Sequence, residues 1–571
     1  MIKLTHGLAV IALVALTACS GGATLEQSDI LNTPQGPVQG VISANDSNIV
    51  SYQGLPFAKA PVGDLRWRPP AAAPTWTDVR DASTFGARCM QPSGTEGGYF
   101  ARLIDGHGLS GLKSFMIKRV VAAQTPSPMS EDCLYLNVRA PKTADNAPVM
   151  VWIHGGGHQF GSADFSYYQA DALAQRGVVL VTINYRLGPM GYMAHPALSE
   201  DDPRGVSGNY GTLDQIAALK WVRDNIAAYG GDPQVVTVFG ESAGAWSVTE
   251  LMSTPLAEGL FHRAILQSGA STYHLGQIDA DGVGWPSAYS GGEAVASALG
   301  LDNPTAADLR AVSAEDLYAV LTETMTETFH HNRDGVVFPD NVGLAFRSGA
   351  INSVPTIAGY NADEGTLFFP DDQQPSVWLE NLDPADRDIL TNRLREAFPE
   401  NAAAIVETYD LDNAFVEGGT AMMGDEIFGV NVRFAARQIA DTGQPSWTYF
   451  FSRVPPSKDQ TIGAFHAAEI PFVFGSHEPV LGLTDDDAAL TDAMISYWAA
   501  FAQTGNPNSA RRSDLPVWPE HAGENWMHFS ANTGQPIAQV EKDIRHDRID
   551  LLEEGLRMKL DQLDAFQRQT R

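Results

Sequence analysis

The pentapeptide GESAG at 240–244 is the part of this chain that most directly indicates chemistry. It follows the apolar run VVTVF and opens onto residues that can continue as a helix. A strand, a sharp turn and a helix in this order expose a serine as a nucleophile, here Ser242. We expect the glycines at 240 and 244 because a Cβ there would collide with the flanking strand and helix. Since a chain with 53 glycines can contain GxSxG by chance, other motifs must support the assignment.

A second apolar run upstream of this serine ends in consecutive glycines. The sequence VWIHGGG at 151–157 has the form of an oxyanion loop. When a hydroxyl attacks an ester carbonyl, negative charge gathers on the oxygen, and backbone N–H groups without side chains can approach it closely. We predict that Gly156, Gly157 and Ala243 donate these hydrogen bonds. Losing one such donor typically raises the barrier by about 3 to 4 kcal/mol.

Short apolar runs alternate with helical patterns along the chain. The predicted buried strands lie at 148–153, 178–183, 235–239, 264–267, 356–359 and 447–451. Residues 213–229 carry apolar side chains at helical spacing and end at two glycines. This alternation predicts an α/β fold with an open, mostly parallel sheet.

Six longer segments resemble blocks of one enzyme family, in the family's order. They are QGLPFAKAPVGDLRWRPP (53–70), EDCLYLNV (131–138), NYRLGPMG (184–191), GNYGTLDQIAALKWVRDNIAAYGGDP (208–233), FHRAILQSG (261–269) and YWAAFAQTGNPN (497–508). Together with the two glycine motifs, they are similar to the type-B carboxylesterases, the cholinesterase-like branch of the α/β-hydrolases. The resemblance implies a large, mostly parallel twisted sheet with helices on both faces and a cap or insertions over the pocket. It also implies hydrolysis of small to medium carboxylic esters through an acyl-enzyme on Ser242.

The resemblance further implies the two partners of the serine. The segment TIAGYNADEG (356–365) resembles the family strand whose end presents an acid, which makes Glu364 the orienting carboxylate. Asp363 is the alternative, because the side chains of adjacent residues point apart and only one can reach the imidazole. The segment FHAAEIPFVFG (465–475) resembles the one that carries the catalytic histidine, His466. Without the resemblance, His466 is one candidate among 14 histidines.

Two residues beside the nucleophile are candidates for the substrate pocket. Glu241 either favours cationic substrates or orders water. Trp246 is larger than the resemblance leads us to expect, and either narrows the pocket or packs in the core. The segment 93–128 resembles an insertion, with basic residues among Leu109, Leu112, Met116 and Val120 at helical spacing. We interpret it as a cap over the pocket, with membrane contact and a core helix as alternatives.

The N-terminus resembles a bacterial lipoprotein signal. A basic start is followed by the apolar run LAVIALVAL at 8–16, which is too short to span a bilayer, and then by LTAC. The resemblance implies cleavage after Ala18 and a lipid on Cys19, in an exported protein that is periplasmic or anchored in the outer membrane. An ordinary secretory signal is the alternative. We expect membrane contact only through this anchor.

The other two cysteines, Cys89 and Cys133, bracket a polar loop. In an exported chain such a pair is expected to be bonded, and the resemblance places a family disulfide at Cys133. No cysteine spacing indicates a metal site, and no nucleotide-binding motif is present, so we expect neither metal nor cofactor.

Composition agrees with one large domain. The formal net charge of −31 excludes nucleic acid as a partner, because phosphates would be repelled. The expected organisation is a signal at 1–18, a flexible tether at 19–36, the hydrolase domain at 37–535 and a charged helical tail at 536–571. The tail either docks on the domain or pairs two chains, and the sequence does not choose between monomer and homodimer. Its apolar residues at helical spacing are Ile549, Leu552, Leu556, Leu560 and Leu563.

Three classes of function are consistent with these residues. The leading one is a serine carboxylesterase acting on a small-molecule ester. The second is another acyl hydrolase with the same machinery, such as a lipase, thioesterase, lactonase or toxin-ester detoxifying enzyme. The third, a non-catalytic binding or adhesion module, predicts a broken triad or glycine loop, and both are intact. An imidazole of ordinary pKa, about 6.5, predicts activity that rises between pH 6 and 8.

Overall fold

The computed structural model describes residues 26–92, 103–104, 106, 127–272, 276–282, 285–322, 329–367, 387–454, 460–477, 483–509, 513–521, 524–532 and 534–570. The strands are β1 Gln27–Thr33, β2 Gly36–Ile42, β3 Ile49–Pro56, β4 Arg80–Asp81, β5 Arg88–Cys89, β6 Met129–Ser130, β7 Tyr135–Pro141, β8 Ala147–Ile153, β9 Val179–Ile183, β10 Gly231–Glu241, β11 Arg263–Gln267, β12 Gly276–Gln277, β13 Asn332–Arg333, β14 Thr356–Asn361, β15 Ser446–Phe451, β16 Asn525–Phe529 and β17 Ala538–Lys542. The α-helices are α1 Ala172–Gln175, α2 Gly188–Tyr192, α3 Pro196–Asp201, α4 Tyr210–Asn225, α5 Ala243–Ser253, α6 Ala288–Ala298, α7 Ala306–Ala311, α8 Ala314–Ala319, α9 Val342–Ser348, α10 Arg387–Ala397, α11 Ala402–Thr408, α12 Phe415–Gly424, α13 Val430–Asp441, α14 Ile470–Phe474, α15 Asp485–Thr504 and α16 His546–Thr570.

One large twisted sheet organises the described part of the chain. Its strand order is β1-β2-β3-β7-β9-β8-β10-β11-β14-β15-β16-β17, with β4 beside β2. The strands from β9 to β16 in this order run parallel. Antiparallel strands flank them at both edges. The sheet therefore has the predicted mostly parallel arrangement, and parallel strands bring their carboxyl ends to one edge.

Both faces of the sheet are covered, which explains why the central strands are continuous apolar runs. Successive residues of a strand point to opposite faces. Val149 and Val151 of β8 pack in a core that includes residues of α4 and α5, whereas Met150 and Trp152 pack on the other side with residues of α15. All four side chains are fully buried. A strand buried on both faces has no polar side, so its sequence does not alternate.

The six predicted strands correspond to β8, β9, β10, β11, β14 and β15. The strand that leads to Ser242 is longer than predicted, because β10 already begins at Gly231 with polar residues. The helix predicted at 213–229 is α4, followed by a 3₁₀ turn at Ile226–Tyr229 that ends at the left-handed Gly230. Glycine is favoured there because its φ is 83°.

The predicted tether at 19–36 is wrong in its second half. Residues 27–33 form β1, which pairs antiparallel with β2 from Gln27 to Thr33. An edge strand is held by backbone hydrogen bonds, so a polar sequence can still be ordered there. The domain therefore begins by residue 27, and the predicted signal at 1–18 with Cys19 lies outside the described residues.

The C-terminal tail docks on the domain, which was one of the two alternatives. β17 adds to the edge of the sheet beside β16, and α16 lies against the helical layer. The side chains that it buries are the five predicted ones, Ile549, Leu552, Leu556, Leu560 and Leu563. They pack with Phe398, Ile405 and Val430, so the boundary placed at 535 does not separate two cores.

Cys89 and Cys133 form the predicted disulfide bond. Arg66 braces the segment by donating from Nε to Glu131 Oε2 at 2.6 Å. The four apolar residues of the predicted cap, Leu109, Leu112, Met116 and Val120, lie outside the described residues. In the part of the chain that the structure describes, no helix is long and apolar enough to cross a membrane.

Candidate active site

Ser242 occupies the sharp turn between β10 and α5. Its backbone has φ 56° and ψ −125°, a combination that side-chain-bearing residues rarely adopt and that persists only where the surroundings enforce it. The neighbouring strand β11 helps to hold the turn, because the Ser242 N–H donates to the Gln267 carbonyl at 2.9 Å. Ser242 is partly exposed, whereas Glu241 and Ala243 on either side are buried. The turn thus presents the serine at the carboxyl edge of the parallel strands.

The glycines two residues before and after Ser242 have no room for a side chain. A Cβ on Gly240 would lie 2.5 Å from the carbonyl carbon of Gly244 and 2.7 Å from the carbonyl oxygen of Ile153. A Cβ on Gly244 would lie 2.0 Å from the same Ile153 oxygen. These neighbours are backbone atoms and cannot turn aside, which confirms the steric reason predicted for the GxSxG spacing.

The glycine loop lies directly against the nucleophile. A Cβ on Gly155 would approach the Ser242 Cβ to 3.1 Å and the Glu241 Oε2 to 2.8 Å. The next two glycines have φ of 101° and 62°, which side-chain-bearing residues rarely adopt. A Cβ on Gly156 would collide with the Phe160 carbonyl, whereas one on Gly157 would meet nothing within 4 Å. The loop that carries Gly156 and Gly157 is therefore at the same edge of the sheet as Ser242 and Ala243.

His466 is joined to Glu364 by a short hydrogen bond. The His466 Nδ1 lies 2.6 Å from the Glu364 Oε2, and both side chains are buried. Glu364 begins a 3₁₀ turn directly after β14, and its other oxygen accepts the Asn361 N–H at 2.6 Å. The alternative acid, Asp363, instead accepts the Ala464 N–H at 2.7 Å. Of the two adjacent acids, the structure brings Glu364 to the imidazole.

The second nitrogen of the same imidazole contacts Glu241. The His466 Nε2 lies 3.0 Å from the Glu241 Oε1. Burial lowers the pKa of His466, but the carboxylates of Glu241 and Glu364 raise it by more, and the net effect is a pKa of about 10. The two carboxylates therefore raise the pKa of His466 above the ordinary value assumed from the sequence. Glu241, which the sequence predicted beside the substrate pocket, is buried with its carboxylate against this imidazole.

The sequence profile of the carboxylesterase family matches residues 27–551. The chain belongs to the carboxylesterase family. Fumonisin B1 esterase of Sphingopyxis macrogoltabida is 34% identical over 552 residues, which cover 93% of each chain. Para-nitrobenzyl esterase of Bacillus subtilis (strain 168) is 36% identical over 530 residues, which cover 90% of this chain and 97% of that relative.

Solved carboxylesterase structures share the fold over nearly their whole length. A PNB esterase superimposes with a TM-score of 0.73 at 32% identity, covering 92% of this chain and 99% of the other. The carboxylesterase EST55 of Geobacillus stearothermophilus gives a TM-score of 0.73 at 31% identity, covering 92% and 100%. The protein therefore has the α/β-hydrolase fold predicted for it, and it is a carboxylic-ester hydrolase.

Glu469 of this carboxylesterase is a buried side chain close to Glu241 and Glu364 that the sequence did not reveal. Its side chain is fully buried, and its two oxygens accept hydrogen bonds from Gln267 Nε2 at 3.0 Å and Asn361 Nδ2 at 2.6 Å. Burial first, and then the nearby Glu241, raise the pKa of Glu469 to about 7. The sequence feature that could have revealed this residue is a glutamate inside the apolar run AAEIPFVF.

Phe428 is a second side chain that the sequence did not reveal. Its ring lies 4.5 Å from the imidazole of His466, measured between ring centroids. Phe428 belongs to a π-helix at Asp425–Gly429, an irregular element that often marks functional sites. No sequence pattern distinguishes this phenylalanine from the other 24 in the chain.

Trp246 lies one helical turn after the nucleophile on α5. Its backbone N–H donates to the Ser242 carbonyl at 3.0 Å, and the residue is partly exposed. The indole also passes 3.0 Å from where a Cβ on Gly269 would lie. Trp246 is therefore packed close to Gly269 and still partly exposed, at the same end of α5 as Ser242.

Proposed function

We propose that this carboxylesterase hydrolyses small to medium esters through an acyl-enzyme on Ser242. His466 takes the proton of Ser242 Oγ while that oxygen attacks the ester carbonyl. The N–H groups of Gly156, Gly157 and Ala243 donate to the oxyanion. The alcohol leaves with the proton from His466, and a water molecule then repeats the two steps on the acyl group.

The 2.6 Å contact between His466 Nδ1 and Glu364 Oε2 carries this proposal. A carboxylate that accepts Nδ1–H fixes the tautomer in which Nε2 carries the lone pair that takes the proton of Ser242 Oγ. It also stabilises the imidazolium that forms once the proton has moved. The glycine loop beside Ser242 and the strained turn at that serine supply the two other parts that acyl transfer requires.

The identity of the ester is the finer part of the proposal. The para-nitrobenzyl esterase relative supports simple aryl and benzyl esters as substrates. A second candidate within the predicted toxin-ester class is fumonisin B1, which is supported by 34% identity to an esterase of that name over 93% of the chain. Both candidates use the same serine, so one set of variants tests them together.

Turnover of p-nitrophenyl esters of increasing acyl length by the purified chain tests the mechanism. We expect a burst of p-nitrophenol followed by steady turnover. Ser242→Ala should lower kcat by roughly four to six orders of magnitude with an unchanged circular dichroism spectrum. Ser253→Ala, on the same helix, is the matched control and should keep full activity. Substantial turnover by the folded Ser242→Ala variant would exclude an acyl-enzyme on this serine. Including fumonisin B1 among the tested esters distinguishes the two substrate classes.

We also propose that the carboxylesterase is an exported lipoprotein with a diacylglycerol thioether on Cys19. The support is the LTAC segment at 16–19 and the Cys89–Cys133 disulfide, a bond typical of oxidising compartments. Mass spectrometry of the mature N-terminal peptide should give the mass of lipid-modified Cys19. Cys19→Ala should move the activity from the membrane fraction to the soluble fraction. An unmodified N-terminus in the mature protein would instead indicate an ordinary secretory signal.

A further inference from the structure

Three buried residues outside the proposed triad lie close together, and one of them directly follows the glycine loop. They are His158, Glu250 and His331, and each is at most 4% exposed. One ring nitrogen of each histidine and one carboxylate oxygen of Glu250 all lie within 4.8 Å of one another. The closest pair is His331 Nε2 and Glu250 Oε2 at 2.6 Å.

The three residues come from three separate segments of the chain. His158 directly follows Gly157 of the glycine loop. Glu250 lies on α5, two turns beyond its first residue, and His331 directly precedes β13. The expectation of no metal rested on cysteine spacing, and residues so far apart in sequence form no motif that could have revealed this group.

Glu250 is a buried carboxylate without a permanent positive partner. Among the described residues, no lysine or arginine forms an ion pair with it, and its partner His331 is charged only when protonated. A divalent cation would compensate the carboxylate, whose isolated burial is otherwise unfavourable.

The surrounding side chains hold the two imidazoles in place. The His158 Nε2 is 2.9 Å from Ser247 Oγ, which in turn accepts from Gln215 Nε2 at 2.9 Å. The rings of His158 and His331 pack against Tyr192 at centroid distances of 5.3 and 4.6 Å. His158 also has a left-handed backbone with φ 59°. Hydrogen bonds and packing that orient a ligand in advance are characteristic of metal sites.

We propose that His158, Glu250 and His331 bind one Zn²⁺ ion that ties the glycine loop to α5. Two imidazoles and one carboxylate are a ligand set that zinc prefers, whereas calcium and magnesium prefer oxygen ligands alone. Tetrahedral zinc with bonds of about 2.0 to 2.1 Å separates its ligand atoms by about 3.3 Å. The pair at 2.6 Å must therefore open, and any pair near the upper limit of 4.8 Å must close by up to about 1.5 Å. The ion takes no part in the ester-cleavage steps, and a fourth ligand such as a water molecule would complete its tetrahedron.

Metal analysis of the full-length protein tests the proposal. Protein purified from zinc-supplemented medium should retain about one zinc ion per chain after dialysis. Zinc added back to chelator-stripped protein should raise its melting temperature by a few degrees, because the ion binds only the folded state. Glu250→Gln and His331→Gln should lose the bound zinc and the temperature rise. His521→Gln is the matched control, since His521 is equally buried and bonded to Thr448 outside the cluster, and it should keep both.

Two outcomes would overturn the proposal. One is that stripped wild-type protein binds no zinc in a calorimetric titration, and the other is that both cluster variants bind zinc as the wild type does. If either variant fails to fold, Co²⁺ is added to the stripped wild-type protein instead. Visible absorption bands of a tetrahedral cobalt centre support the metal site, and their absence counts against it. Zinc content is measured without a substrate, so failure of this proposal is independent of failure of the proposed esterase mechanism.

Discussion

Glu241 Oε1 lies 3.0 Å from His466 Nε2, so the imidazole contacts a carboxylate at each of its two nitrogens. Both charges favour the imidazolium and raise the pKa of His466. Because a general base must be neutral, the raised pKa moves the rise of activity to higher pH than the pH 6 to 8 expected from the sequence. Activity should be low at neutral pH relative to its plateau.

Glu241→Gln should move the rise of activity with pH to lower pH by about one pH unit or more, because it removes one of the two negative charges beside His466. The measurement is kcat/KM against pH for a p-nitrophenyl ester. Glu258→Gln removes an exposed glutamate that follows α5 and the 3₁₀ turn at Pro255–Ala257, and it should leave the profile unchanged. A profile that does not move in Glu241→Gln would show that the Glu241 charge does not act on the base.

Glu364→Gln should lower kcat by roughly three to four orders of magnitude, because an amide no longer fixes the tautomer or stabilises the imidazolium. Asp363→Asn removes the alternative acid and should lower kcat less than about tenfold, since the one hydrogen bond that the described residues give its carboxylate comes from the Ala464 N–H, which an amide oxygen can also accept. Steady-state kinetics of the two variants, with unfolding midpoints as a control for stability, compare the acids directly. The reverse order of effects would assign the role to Asp363.

The parts of the site that lie within one short segment were predictable from the sequence. A strand buried on both faces must be a continuous apolar run, which marks β8 and β10, and the turn at Ser242 requires glycines at fixed positions. Glu364 and His466 are far apart in sequence, so resemblance to a family was needed to select them. Composition could not reveal β1, because an edge strand is held by its backbone rather than by apolar side chains.

Contacts formed by tertiary packing could not be read from the sequence. The meeting of Glu241 with His466 depends on where β14 and the segment after β15 end relative to β10, and no local pattern encodes that relation. The same holds for His158, Glu250 and His331, which are brought together by three separate segments. Considered alone in the sequence, each of these side chains is interpreted as an ordinary surface or packed residue.

Trp246→Ala should broaden the acyl specificity, because the indole is partly exposed one turn beyond Ser242. We expect the ratio of kcat/KM for a bulky ester to that for p-nitrophenyl acetate to rise roughly tenfold or more. Trp246→Phe should give a smaller rise, since it keeps most of the aromatic volume. An unchanged ratio together with a lower melting temperature would assign Trp246 to core packing.

Leu552→Ala should lower the free energy of unfolding by about 2 to 5 kcal/mol, because this side chain of α16 is 1% exposed and is packed within the cluster around Phe398. The urea midpoint of the purified protein is the measurement, followed by tryptophan fluorescence. Arg557→Ala, on the exposed side of the same helix, should change the midpoint little, because its guanidinium is exposed and its ion pair with Glu400 lies at the surface. Equal, small effects of both substitutions would mean that α16 contributes no stability to the domain, in conflict with the docking seen here.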